Sequence, residues 1–145
     1  MIAILTSRLS TEFLESVREF SRNNTCCIFT NAVFPPSEPP VSIFHSARAY
    51  SFEGSIISTD LATTSTLTRL QLPAKKMFYV AKMEWLEMDS VHYSQMRNLY
   101  QNDEIDLIAS TQKIYDKLES IFKKPLCIMK DWNLNHIKQV IENEY

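Results

Sequence analysis

One unit recurs along this chain and limits what it can become: a short apolar run halts at a small hydroxyl or amide residue, and a helix-like stretch follows. It occurs at Ile2-Ala-Ile-Leu-Thr-Ser7, Cys26-Cys-Ile-Phe-Thr-Asn31, Ile56-Ile-Ser-Thr-Asp60 and Leu107-Ile-Ala-Ser-Thr111. Apolar runs without strict alternation suit strands covered on both faces, the environment of a parallel sheet. A Ser, Thr, Asn or Asp at the end of such a strand can accept a bond from the first turn of the next helix. The pattern predicts α/β architecture, a Rossmann-like three-layer sandwich with a mostly parallel sheet of about six or seven strands. Function in such folds gathers at the carboxyl edge of the sheet.

Periodicity fills in the other elements. Ser10 or Thr11 can cap a helix carrying Phe13, Leu14, Val17 and Phe20. Pro35, Pro36, Pro39 and Pro40 form a stiff connector, or else a partner-binding segment, before a strand over Val41–His45. Asp60 caps a helix with Leu61, Leu67 and Leu70, and Met77-Phe-Tyr-Val-Ala81 reads as a central strand. Residues 89 to 103 read as a crossover helix with Tyr93, Met96, Leu99 and Tyr100 at helical spacing. Thr111 caps a helix carrying Ile114, Tyr115, Leu118, Ile121 and Phe122. A strand at Leu126–Met129 and an amphipathic helix with Leu134, Ile137, Val140 and Ile141 complete the reading.

A length of 145 residues fits one domain, 1–145, burying about two-thirds of its unfolded surface. A net charge of −2 argues against a non-specific nucleic-acid binder, so no nucleic-acid partner is expected. The apolar runs are far shorter than the ~20 residues of a bilayer span, and the N-terminus lacks a signal peptide's shape, so the expectation is a cytoplasmic protein without a membrane partner. Cys26, Cys27 and Cys127 read as core residues, and His45, His92 and His136 are too scattered for a metal site. The single glycine, Gly54, excludes a Walker loop and a GxGxxG fingerprint, and GxSxG is missing too. No cofactor is expected.

Residues 103 to 130, from Asp-Glu-Ile-Asp-Leu-Ile-Ala-Ser-Thr through Lys-Lys-Pro-Leu-Cys-Ile-Met-Lys, resemble a stretch of the GT-B glycosyltransferases. Lys76-Met-Phe-Tyr-Val-Ala-Lys-Met-Glu-Trp85 is similar to the preceding strand and loop of that family, and Met1 to Thr6 to its first strand. The resemblance implies the N-terminal, acceptor-side domain of such an enzyme as an isolated half, without the donor-binding domain. Ser7-Arg8-Leu9-Ser10 stands where the family usually has a glycine-rich turn.

The strand carboxyl ends supply the candidate site residues. Ser7, Arg8, Trp85, Ser110 and Thr111 are candidates for substrate binding, and His45, Asp60 and Glu84 for catalysis. Arg8 can serve as a charged fork for a phosphate or carboxylate, or be a solvated surface arginine. His45 with Asp60 or Glu84 can make a base and its orienter, against a hydrogen-bonded structural histidine. Asp60, Ser110 and Thr111 have helix capping as their alternative. Glu84 and Trp85 can bond and stack a sugar, against a half-buried Trp under a loop. Two functions follow as expectations. One is a glycosyltransferase-like half-domain, inactive alone, with a partner supplying the donor-binding domain. The other is a non-catalytic Rossmann-like binding or assembly module, including a homo-oligomer. A small flavodoxin-like nucleotide binder is a third.

Overall fold

Each apolar run expected as a strand forms one, the central ones buried on both faces at once and the two edge strands only partly buried. A computed structural model describes residues 1–33 and 41–144. Along the chain these are β1 (Ile2–Thr6), α1 (Thr11–Ser21), β2 (Cys26–Thr30), β3 (Ser42–His45), β4 (Gly54–Ser58) and α2 (Leu61–Arg69). They continue with β5 (Ala74–Val80), α3 (Ser90–Gln101), β6 (Ile105–Ala109), α4 (Gln112–Ile121), β7 (Cys127–Ile128) and α5 (Leu134–Glu144). Short 3₁₀ helices span Ser46–Ser51 and Glu84–Glu87. The prolines at 35, 36, 39 and 40 lie outside the described residues.

The strands form one seven-stranded sheet in the order β3-β2-β1-β4-β5-β6-β7. Every pairing is parallel, from Ile2 opposite Cys26 and Ser55 on either side of β1 to Ala109 opposite Ile128 at the far edge. Side chains alternate between the faces of the sheet. Ile4, Ile28, Ile57, Met77, Tyr79 and Ile108 meet Val17 and Phe20 of α1 and Ile137 of α5 on one face. Leu5, Phe29, Phe78, Val80 and Leu107 point the other way, beneath Leu67 of α2, Tyr100 of α3 and Leu118 of α4. The architecture is thus the expected three-layer α/β sandwich, and its sheet is parallel throughout. Among the described residues no helix is long and apolar enough to cross a membrane.

Cap chemistry sets the helix starts where the sequence placed them. Ser10, Asp60 and Thr111 accept from the backbone N–H of Phe13, Thr63 and Ile114. Cys26 and Cys27 are buried and Cys127 half-buried, and burial pushes their thiols up, to about 11 for Cys27 and Cys127. They stay protonated at neutral pH and act as small apolar groups.

Gly54 opens β4 with φ +126, and a Cβ there would stand 2.6 Å from the Met1 carbonyl oxygen, which accepts from Ser55 N–H. Both the left-handed backbone and the close approach require glycine. Gly54→Ala is expected to cost about 2 kcal/mol or more, read as a lower denaturation midpoint; an unchanged midpoint would show that the β1–β4 register is looser than described.

Candidate functional site

The strand order reverses at β1: the chain winds one way through β2 and β3 and the other way from β4 onward. The helices leaving the carboxyl ends of β1 and β4 therefore go to opposite faces, and a crevice opens between them. A hollow of about 670 Å³ lies there, with Ser7 and Arg8 from the β1 exit, Asp60 from the β4 exit, and Lys82, Glu84 and Glu87 from the loop after β5.

Hydroxyls hold the floor of this crevice together. Thr59 Oγ1 donates to Thr6 Oγ1 at 2.9 Å, linking β4 to β1, and Thr6 closes its own turn by donating to Arg8 O and accepting from Arg8 N–H. Ser7 Oγ donates to one oxygen of Asp60. The other Asp60 oxygen accepts from Thr63 N–H at 2.7 Å and from Thr63 Oγ1. Beneath it the fully buried Ser58 and Thr64 hydroxyls bond each other at 2.7 Å. Each of these floor hydroxyls has a partner, as a low-dielectric interior favours.

Of the three carboxylates, Asp60 and Glu84 thus differ in availability. Asp60 is taken up by the clasp and the helix cap, whereas the Glu84 carboxylate accepts no hydrogen bond among the described residues, its backbone N–H alone donating to Lys82 O. Burial pushes the Glu84 carboxyl above its ordinary value. Lys82 opposes that rise, Asp60 and Glu87 add to it, and Arg8 opposes it. Glu84 faces Arg8 across the crevice, a positive group that makes no ion pair among the described residues. Among those residues no group of three or more His, Cys, Asp or Glu side chains could hold a metal ion.

Three expected site residues stand apart from Arg8, Asp60 and Glu84, and a fourth is buried. His45 ends β3 at the sheet edge, three strand spacings from β4, or roughly 14 Å at ~4.8 Å each. Its Nδ1 accepts from Ala47 N–H and starts a 3₁₀ helix. The pairing of His45 with Asp60 or Glu84 is therefore not formed. Ser110 donates to Ala81 O, and Thr111 caps α4; neither lines the crevice. Trp85 is only 4% exposed and packs edge-on against Tyr100 and Phe122, so its ring cannot reach a ligand in the crevice.

The aromatic residues that line the crevice are instead Phe13 of α1 and Trp132, from the loop after β7. The Trp132 ring packs 4.9 Å from Phe13 and 4.4 Å from Tyr79, centroid to centroid. Applying the strand-end rule to β7 would have found it, because Trp132 follows that strand as Arg8 follows β1. Lys82 and Glu87 flank Glu84 and Trp85 in the loop after β5 and line the crevice with Glu84.

The raised Glu84 carboxyl gives a pH prediction. A group whose folded value lies above its unfolded one favours the fold when protonated, and that contribution is lost as pH rises through the folded value. Glu84→Gln is expected to raise the melting temperature at neutral pH, with the gain vanishing near pH ~3, where both states of the wild type are protonated. A gain independent of pH would contradict burial of the charge.

No family model matches the chain, and neither a curated protein nor a solved structure matches it.

Proposed function

We propose that the crevice binds a neutral, hydroxyl-rich ring compound of the sugar type, and that the chain is the acceptor side of a glycosyltransferase-like pair of domains. The observation that carries this reading is the charge pattern at the switch point. Three carboxylates, Asp60, Glu84 and Glu87, stand against two cations, Arg8 and Lys82. A phosphate would meet repulsion from most of that rim. A polyol offers hydroxyls that donate to carboxylates and accept from Arg8 and Lys82, so it can use both signs.

Within this reading Glu84 takes the proton of an acceptor hydroxyl, because its carboxylate, unlike that of Asp60, has no competing bond among the described residues and its raised carboxyl value improves it as a base. Arg8 orients the ligand with its guanidinium fork. Asp60 and Ser7 act as positioning residues through the clasp that sets the crevice wall. The electrophilic sugar would come from a donor-binding domain facing the carboxyl edge of the sheet. Transfer needs both faces, so the chain alone is expected to bind sugar with little transfer.

Saturation-transfer NMR with methyl pyranosides and, separately, uridine diphosphate tests the reading. Saturation is expected to reach at least one pyranoside and to fall on Arg8→Ala substitution, with none on the nucleotide. Binding of the nucleotide in place of every sugar would overturn the proposal and favour a nucleotide-binding module.

A further inference from the structure

We infer that Trp132 is the stacking platform of the crevice, its indole lying against the C–H face of a pyranose whose hydroxyls meet Arg8 and Glu84; the inference rests on the sugar reading above. Its first support is position. Trp132 lies in the loop after β7, at the opposite end of the sheet from β3, yet it reaches back over the strand ends to line the same hollow as Ser7 and Arg8. Phe13 of α1 and Tyr79 of β5 hold the ring from two directions. A ring held in place this way loses little side-chain freedom when a ligand lands on it.

The second support is the backbone. Asp131 and Trp132 are the only non-glycine residues with positive φ among the described residues, at 51° and 56°. Asn133 N–H closes the turn onto Lys130 O at 3.1 Å. Two left-handed central residues joined by that bond are the marks of a type I′ turn, which favours Asn, Asp or Gly centrally. Asp131 suits its place, whereas a bulky ring at the second is disfavoured by the steric clash of Cβ with the backbone. The indole must therefore supply what the turn loses.

The two indoles of the chain are placed differently. Trp85 shows what pure packing does to an indole in this chain, being enclosed at 4% exposure. Trp132 stays half-buried, in ring contact with Phe13 and Tyr79 while it lines the crevice together with Phe13. A pyranose presents an apolar C–H face ringed by hydroxyls, which suits an indole that shares its hollow with Arg8, Asp60 and Glu84. A nucleobase could also stack there, but its phosphates would then lie among the carboxylates.

The chain has two tryptophans, so its ¹H–¹⁵N spectrum carries two indole N–H resonances, which Trp132→Phe assigns. Titration of the wild type with methyl α-glucopyranoside, methyl α-mannopyranoside and methyl β-galactopyranoside is expected to move the Trp132 indole resonance and leave that of Trp85 in place. Sorbitol, with the hydroxyls but no ring face, is expected to move neither. Trp132→Gly removes the indole and keeps a residue that accepts the left-handed turn, and it is expected to weaken the binding pyranoside about tenfold. Equal binding by Trp132→Gly, or a binding pyranoside that leaves the wild-type Trp132 resonance unmoved, would overturn the stacking role and leave the sugar reading standing. No pyranoside binding to the wild type would overturn both.

Discussion

Hydrogen bonding of β1 to both β2 and β4 is the constraint from which the rest of the molecule follows. A parallel strand paired on both sides must be reached by crossovers running in opposite directions, and these place their helices on opposite faces. α1 and α5 cover one face and α2, α3 and α4 the other. The space above the exits of β1 and β4 is left to loops. The crevice is thus a product of topology, and the Thr6–Thr59 and Ser7–Asp60 bonds keep its two walls together.

With one glycine in the whole chain, turns at the carboxyl edge cannot rely on free backbone torsions. Hydroxyls and a carboxylate take over. Thr6 folds back on Arg8, Asp60 and Thr63 form a reciprocal cap, and Thr111 starts α4. This accounts for the small polar residue that ends each apolar run, and it shapes the chemistry. A glycine-rich loop would bring backbone N–H groups up to a phosphate. Here side chains form the rim, and most of its charged groups are acidic.

The fold was legible because its signals are local. Burial on both faces shows in uninterrupted apolar runs, and Ser10, Asp60 and Thr111 act on N–H groups within the first turn that follows them. Strand order is not local, so the gathering of Arg8 with Glu84 and the exclusion of His45 could not be separated beforehand: each residue simply ends a strand. Trp85 and Glu84 show the same limit at finer scale. The 3₁₀ helix that holds both turns the carboxylate to the crevice and the indole into the core beneath Tyr100 and Phe122. Trp132 carries no turn signal, because the usual residues of its turn are small, and only its place after β7 points to it.

The account stands or falls on where a ligand enters. A second hollow of about 540 Å³ lies at the other end of the sheet, lined by Cys27, Phe29, Phe44, Arg48 and Phe52. Hydrogen–deuterium exchange with and without saturating methyl pyranoside separates the two. Protection confined to the exits of β1, β4 and β5 and to the loop after β7, around Ser7 to Ser10, Thr59 to Thr63, Lys82 to Met88 and Lys130 to Asn133, is the result predicted. Protection at Cys26 to Phe29 and Arg48 to Glu53, with the β1 and β4 exits unchanged, would contradict it.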